Sequence, residues 1–324
     1  MLRETYSCFG RHSCFGKYES FGGYMEYRIL GNTGRRVSRI GFGGAVAGLK
    51  NYLQPYDPAS PDNMKEVTKA IERALTLGIN YFDTAPGYGD GQSERLFGAA
   101  LKGVDPDNLF LATKCGFGTR DDVLRSFESS LKHLNRDWID LLQIHGDCIS
   151  HEREAQILGT GGTGFEDGAF SPDGMLSGLL ELKRQGLIRH MGFSTEDNND
   201  VVYQLIESGR FDTVQMCYNF LFQHPYEPSR PFGSMLAAEE RQMGIITMRA
   251  PTSGTFQRWI QMVNPDNTFD YTRALIQYVL SNPLVDVALV GMRTANLVEE
   301  NVALCDDMAG RVDLNQVHAR YVQS

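Results

Sequence analysis

Residues 78–89 read Gly-Ile-Asn-Tyr-Phe-Asp-Thr-Ala-Pro-Gly-Tyr-Gly. The apolar run in this segment is typical of a buried strand; it ends at Asp83, and a Pro/Gly turn leads on to Tyr88. Two later apolar runs end in the same way, one on Lys114 and the other on His145. In parallel α/β proteins, functional side chains gather at the carboxyl ends of the strands. We therefore expect these four residues to lie close together.

The four side chains supply what proton transfer to a carbonyl oxygen requires. A phenol has a reference pKa of about 10, so a tyrosine needs help to exchange protons near neutral pH. The ammonium of Lys114 favours the phenolate of Tyr88, and Asp83 can hold that ammonium in place. The imidazole of His145 can hydrogen-bond and orient the substrate oxygen. Taken singly, each residue is better explained as a helix cap, a solvated charge or a packing residue; together, at successive strand ends, they favour catalysis.

Strand-like and helix-like segments alternate along the chain, eight of each. Strict alternation predicts parallel strands, but it does not distinguish a closed barrel from an open doubly wound sheet. A short extra helix is expected near residues 312–322. We predict strands near residues 39–42, 80–83, 109–113, 138–144, 189–193, 212–216, 244–248 and 286–290, and helices near residues 61–75, 92–102, 121–134, 175–185, 198–207, 234–242, 268–281 and 295–306.

Segment 78–89 resembles the signature of the aldo-keto reductase superfamily. The strand ends at Thr113-Lys114 and Gln143-Ile144-His145 match the family's next two catalytic positions in order and at similar spacing. The resemblance extends from Met25 to the C-terminus and is to short-tailed members of bacterial type. It implies an α/β fold, a (β/α)8 TIM barrel whose bottom is closed by an N-terminal β-hairpin at residues 27–38. It further implies that Asp83, Tyr88, Lys114 and His145 are catalytic and that the substrate is a small carbonyl compound or alcohol.

The resemblance also implies a dinucleotide, NADP or alternatively NAD, laid across the barrel mouth. A Rossmann domain is rejected, because Gly41–Gly44 only partly matches Gly-x-Gly-x-x-Gly and opens no predicted helix. Ser194 and Gln215 would hydrogen-bond the nicotinamide carboxamide, and Thr195 stands where the family usually has Asn. Ser194 and Thr195 can equally cap the helix that follows them.

The remaining cofactor contacts are implied along the last two strands. Arg249 can stack on the nicotinamide, contact the pyrophosphate or form a salt bridge elsewhere. NADP-selective members carry basic residues at the positions of Gly291 and Leu297, so Arg293 is expected to be the only nearby cation for a ribose 2′-phosphate. The residues assigned to the cofactor are Gly43, Gly44, Ser194, Thr195, Gln215, Arg249, Ala250, Gly254, Gly291, Arg293, Glu300 and Asn301.

Two long segments, residues 146–174 and 221–233, are predicted to be loops that border the active site. The first contains the glycine cluster 159–164, which lacks the Gly-Lys-Ser/Thr of a phosphate loop and is interpreted as a mobile substrate lid. The acidic residues near it indicate either a polar pocket for a sugar or polyol, or a solvated surface. They are Asp147, Glu152, Glu154, Glu166 and Asp167.

Composition limits the partners. The chain has 324 residues, of which 42% are hydrophobic, and its formal net charge is -9, which argues against nucleic acid and anionic membrane as partners. No apolar run approaches the roughly 20 residues that span a bilayer. The spacing of the six cysteines does not indicate a disulfide framework, which favours a cytoplasmic protein. Nor do the cysteines and histidines have the spacing of a metal site. We expect a monomer or a small homo-oligomer.

The chain is expected to form one domain at residues 25–324. Residues 1–24, a loosely repeated aromatic and glycine-rich segment, are expected to be disordered or to reflect a mis-called start codon. The leading function is an NAD(P)-dependent oxidoreductase that interconverts a carbonyl and its alcohol. The alternatives are a cofactor-binding regulatory subunit with little turnover and an unrelated barrel hydrolase.

Overall fold

The computed structural model describes residues 25–146, 151–159, 171–227 and 232–317. It begins with the predicted hairpin, in which β1 (Tyr27–Ile29) pairs antiparallel with β2 (Arg36–Ser38). Leu30 and Val37 of this hairpin are fully buried against residues of the barrel interior. The amide of Gly31 donates to Asp286 Oδ2 at 3.1 Å, at the start of the last strand. The hairpin therefore closes the bottom of the barrel, as expected.

Eight parallel strands form the barrel, and the last of them pairs with the first, through Ala288 and Ile40. The sheet is thus closed, which confirms the (β/α)8 TIM barrel and rules out the open doubly wound sheet. The strands are β3 (Ile40–Gly43), β4 (Tyr81–Asp83), β5 (Phe110–Cys115), β6 (Ile139–His145), β7 (Ile188–Thr195), β8 (Thr213–Cys217), β9 (Gly244–Met248) and β10 (Val287–Gly291).

Eight helices follow the eight strands and pack on the outside of the barrel: α2 (Pro61–Thr76), α3 (Gln92–Ala100), α4 (Arg120–Leu134), α6 (Met175–Arg184), α7 (Asp200–Glu207), α8 (Ser234–Glu240), α10 (Thr272–Leu280) and α11 (Ala295–Asp306). Three more helices lie in the connections after β3, β6 and β9: α1 (Ala45–Gly48), α5 (His151–Leu158) and α9 (Thr255–Val263). Over the described ranges, no helix has the length and apolar character needed to cross a bilayer.

None of the three connecting helices was predicted from the sequence. The segment 146–174 was expected to be a loop, but it contains α5, whose first turn carries Glu152 and Glu154 at the favourable end of the helix dipole. Residues 160–164 of the proposed lid lie outside the described residues, as do 147–150, 165–170, 228–231 and the expected disorder of 1–24. Of the C-terminal helix predicted at 312–322, residues 312–313 are not helical, residues 314–317 are helical, and residues 318–322 lie outside the described residues.

The barrel interior is filled by side chains, so it is a packed core. Tyr81 and Phe110 stack inside it with ring centroids 5.2 Å apart, together with Leu141, Ile246 and Val287. Since the hairpin seals the bottom and the interior is packed, the carboxyl ends of the strands form the accessible mouth. In TIM barrels this mouth is where active sites are built.

Three aspartates at the bottom hold neighbouring strands in register. Asp140 Oδ2 accepts the amide of Leu111 at 3.0 Å, Asp212 Oδ2 accepts that of Met191 at 2.8 Å, and Asp286 Oδ2 accepts that of Ile245 at 3.0 Å. Asp140 is the most deeply buried of them. Burial raises the pKa of Asp140 to about 6, against the opposing effects of the Leu111 amide and two nearby arginines.

Candidate active site

A buried ion pair lies at the base of the barrel mouth. Lys114 is fully buried, and its Nζ donates to Asp83 Oδ1 at 2.5 Å and to the carbonyl oxygen of Thr84 at 2.9 Å. Burial alone would lower the pKa of Lys114, but the charge of Asp83 and the contact with Tyr88 outweigh it and raise that pKa. Lys114 is therefore an ammonium over the whole neutral range.

Tyr88 and His145 lie above this pair. Lys114 Nζ is 5.1 Å from the centroid of the Tyr88 ring, and the rings of Tyr88 and His145 meet edge to face with centroids 5.6 Å apart. The structure thus brings together all four residues that the sequence grouped. Burial raises the pKa of the Tyr88 phenol more than Lys114 lowers it, so the net shift is opposite to the one expected from the ammonium alone.

The turn that carries Tyr88 is packed against the connection after β3. Ser93 Oγ donates to the carbonyl of Gly44 at 3.0 Å and accepts from Thr84 Oγ1 at 2.8 Å, while the amide of Gly44 donates to the carbonyl of Asp83 at 2.7 Å. A Cβ on Gly44 would lie 2.4 Å from Ser93 Oγ, so no larger residue fits there without displacing these bonds. Gly43 and Gly44 therefore form a close-packed floor beside Asp83.

Gln143 belongs to the site, although sequence reasoning did not assign it. Its Nε2 donates to Asp83 Oδ2 and to Gln215 Oε1, at 3.1 Å in both cases. Gln215 Nε2 in turn contacts Met248 Sδ at 3.5 Å. The signal was present in the sequence: Gln143 precedes His145 by two residues in one strand, and strand residues two apart share a face.

Ser194 and Thr195 do not cap the following helix. The N-cap of α7 is Asn199, whose Oδ1 accepts the amide of Val202 at 3.1 Å. Ser194 Oγ accepts the amide of Gly146 at 3.3 Å, and Thr195 Oγ1 accepts that of Asp197 at 3.0 Å. Ser194 therefore lies beside the end of β6, next to His145.

Arg249 forms the salt bridge that was one of its three expected roles, and its partner is Glu196. Its backbone is left-handed, with φ of 62°, and so is that of Ser253 and Gly254, with φ of 50° and 72°. Ala250 between them is fully buried. Arg249 borders a cavity of about 310 Å3 lined by Glu196, Asn219, Leu221, Phe222, Arg249, Thr252, Ser253, Thr255 and Trp259.

Arg293 is engaged with the connection after β3. Its Nε donates to the carbonyl of Val46 at 2.7 Å and its Nη2 to that of Tyr52 at 3.0 Å. Its guanidinium carbon lies 3.9 Å from the centroid of the Tyr56 ring, and the residue is only 8% exposed. A Cβ on Gly291 would lie 2.6 Å from Val46 Cγ1, so this connection also covers the position at which the resemblance implied a basic side chain in NADP-selective members.

A second cavity, of about 490 Å3, lies beside the first turn of α11, whose residues Glu300 and Asn301 were assigned to the adenine. The Glu300 side chain is exposed, whereas Asn301 is 7% exposed. The expectation that Arg293 is the only nearby cation is wrong, because helix α2 contributes two lysines to this cavity. Its lining residues are Asp62, Lys65, Glu66, Lys69, Thr294, Ala295 and Asn296.

Comparisons with known proteins identify the family of this chain and agree with its fold. The model of the aldo/keto reductase family matches residues 39–314. L-galactose dehydrogenase from Arabidopsis thaliana is 28% identical over 315 residues, covering 88% of this chain and 89% of that protein. The holo form of an aldo-keto reductase from Bacillus halodurans, at 21% identity, has a TM-score of 0.68 over 93% of this chain and 96% of its own. The Klebsiella pneumoniae aldo-keto reductase solved with NADPH, at 17% identity, has a TM-score of 0.63 over 92% of this chain and 93% of its own.

Proposed function

The chain belongs to the aldo/keto reductase family, and from this we propose that it interconverts a small carbonyl compound and the corresponding alcohol, with NADP or NAD as the redox partner. One observation carries the proposal. A fully buried Lys114–Asp83 pair underlies the ring of Tyr88, and the ring of His145 stands beside it at the barrel mouth.

In this proposal, Tyr88 holds the proton that is exchanged with the substrate oxygen. The ammonium of Lys114 stabilises negative charge as it develops on the phenol oxygen, and Asp83 keeps that ammonium in place. His145 orients the substrate oxygen toward Tyr88 by hydrogen bonding. The dinucleotide, when bound, supplies or accepts the hydride.

The residues around the mouth fit such a dinucleotide. Within the described residues, the hydrogen-bond partner of Gln215 Nε2 is the thioether of Met248, so this nitrogen is suited to donate to a carboxamide oxygen, and Ser194 and Thr195 add hydroxyl groups. Ser253, whose backbone is left-handed, lines the 310 Å3 cavity with Arg249, and Gly254 continues this left-handed backbone, which suits a pyrophosphate. Gly43, Gly44 and Ala250 would also border the dinucleotide, while Gly291, Arg293, Glu300 and Asn301 would border the adenosine half. The solved Klebsiella pneumoniae relative, which contains NADPH, supports the proposal.

We further propose a polyhydroxylated substrate such as a sugar. The name of the Arabidopsis thaliana relative, L-galactose dehydrogenase, points in this direction. We also propose that the protein acts in the cytoplasm.

The test is a panel of sugars and small aldehydes in both reaction directions with each dinucleotide, for the wild type, Tyr88→Phe and the control Tyr203→Phe on α7. We expect Tyr88→Phe to lose about 10²–10⁴-fold in turnover because the proton donor is gone, while its dinucleotide affinity stays near wild type. The control should keep full activity. Dinucleotide binding without turnover on any substrate would favour a regulatory subunit, and no binding at all would favour a hydrolase.

A further inference from the structure

The amide of Gln143 joins two parts of the site that the proposed chemistry uses separately. Through its two hydrogen bonds it links Asp83, which holds Lys114, to Gln215, which is assigned to the nicotinamide carboxamide. All three side chains are buried. No solvent therefore competes for these hydrogen bonds. A change in the orientation of the Gln143 amide thus alters the bonds to both Asp83 and Gln215.

Charge sets the direction of the hydrogen bonds. A carboxylate only accepts, so the edge of Gln143 that faces Asp83 is its NH2 group. The second hydrogen of that group points to Gln215, which must present its oxygen. Gln143 Oε1 has no hydrogen-bond partner in the described part of the chain, so both bonds come from the same nitrogen.

The orientation of the Gln143 amide determines which atom of Gln215 is available to another partner. With its oxygen held by Gln143, its Nε2 is the group that remains for another acceptor. That nitrogen contacts Met248 Sδ, and a thioether is a weak acceptor that a carboxamide oxygen can replace. Burial raises the pKa of Asp83, and the Lys114 charge and the bond from Gln143 act in the opposite direction, toward the carboxylate.

We propose that Gln143 is a positioning residue that orients the Gln215 amide so that a hydrogen-bond donor faces the nicotinamide carboxamide. The inference rests on the proposed function and adds to it a residue that exchanges neither the proton nor the hydride. The charged groups that face Gln143 are Asp83 from β4 and Lys114 from β5; β7 presents Gly192 and β8 presents Gln215.

Two substitutions at Gln143 separate orientation from packing. Gln143→Leu removes both hydrogen bonds at similar size, and we expect about a two- to tenfold weaker Kd for NADPH at every pH, as for lost neutral hydrogen bonds. Gln143→Glu places an acceptor there instead, so Gln215 turns its nitrogen toward it and its oxygen toward the cofactor. Burial beside the Asp83 carboxylate raises the pKa of the new carboxyl, and a protonated carboxyl can donate again. This variant should therefore bind NADPH nearly as well as the wild type at about pH 6, and more weakly than Gln143→Leu once the carboxyl ionises at alkaline pH.

Gln277→Leu is the matched control. Gln277 is also a buried glutamine, and its Nε2 donates to the carbonyl of Leu304 at 3.3 Å, away from the mouth. This variant should lose stability but keep the wild-type Kd and its pH dependence. The Kd values are measured by the fluorescence of bound NADPH, with thermal melts as a check on folding.

The inference is overturned if Gln143→Leu binds NADPH as well as the wild type, whether or not Gln143→Glu folds. Equal Kd values for the two Gln143 variants at every pH would overturn it as well. A wild-type protein that binds neither NADPH nor NADH would instead overturn the proposed function, so the two failures are distinguishable.

Discussion

Lys114 illustrates how much of this site depends on single side chains. A buried ammonium is stable only when it is paired and hydrogen-bonded, and Asp83 and Thr84 supply those partners. Removing Asp83 would leave an uncompensated buried charge. The pair therefore serves both the fold and the proposed chemistry.

The raised pKa of Tyr88 leads to a prediction about pH dependence. Because the phenol stays protonated well above neutral pH, carbonyl reduction should be nearly constant from about pH 6 to pH 9. Alcohol oxidation needs the phenolate, whose fraction rises about tenfold per pH unit below the pKa. Single-turnover rates measured in both directions across this range check the prediction, and a reduction rate that falls off near pH 7 would contradict it.

Asp140 should make stability depend on pH in an unusual direction. Its folded-state pKa of about 6 lies above the ordinary value of about 3.9, so its ionisation opposes folding. Protonated Asp140 therefore makes its full contribution to the free energy of unfolding below about pH 4. This contribution, about 3 kcal/mol, is lost as the pH rises through 6. Asp140→Asn removes this titration. Urea unfolding of both proteins from about pH 4 to pH 7.5 should show the wild type losing stability relative to the variant, whereas parallel curves would refute the assignment.

At the scale of elements, the connection after β3 is central. Arg293, at the start of the connection into α11, holds this segment through the carbonyls of Val46 and Tyr52 and through the ring of Tyr56. Val46 also covers Gly291. A segment that borders the Tyr88 turn is thus fastened to the helix assigned to the adenosine half. Arg293 therefore links the part of the mouth beside Tyr88 to the part assigned to the adenosine half.

The variant Arg293→Ala distinguishes two roles of Arg293. One is to hold the connection after β3, and the other is the contact with a ribose 2′-phosphate that the sequence led us to expect. If Arg293 mainly holds the connection, NADP and NAD should lose affinity equally, and unfolding free energy should fall by about 1–3 kcal/mol for the lost carbonyl bonds. Both cofactors are titrated into both proteins, with tryptophan fluorescence as the readout. A loss of about ten- to a hundredfold confined to NADP would instead establish the phosphate contact.

The elements differ in how far the sequence predicts them. All eight predicted barrel strands overlap the observed ones because short apolar runs between turn residues are a local signal. Helix α9 carries the spacing of an amphipathic helix in Phe256, Trp259, Ile260 and Val263, but no helix was predicted there. The sequence has no local signal for contacts between residues that lie far apart along the chain. Such contacts include barrel closure, the hydrogen bonds of Gln143 and the contacts of Arg293.

For the whole molecule, Met25 marks where the described structure begins. The carbonyl of Glu26 accepts the amide of Arg39 at 2.8 Å, and Met25 Sδ lies 3.9 Å from Cys305 Sγ. The first contact ties the start of the hairpin to the residue before β3, and the second ties it to α11. The domain at residues 25–324 remains a proposal, and it makes the following prediction.

A chain that begins at Met25 should fold and work as well as the full chain. The hairpin and barrel already contain the contacts that close the bottom, and residues 1–24 have no core-forming pattern. Thermal melts, dinucleotide titration and turnover of both chains provide the check. A large drop in melting temperature or in activity of the shorter chain would show that residues 1–24 contribute.

The pairing of β3 with β10 has a consequence for biosynthesis. The two strands are joined only after residue 287 has emerged from the ribosome, although β3 is among the first segments made. Until then the growing chain carries two unpaired sheet edges, which are templates for association with other chains. The nascent protein thus depends on β10 to cover the edge of β3, and a chain that ends before residue 287 should associate with other chains more readily than the full chain.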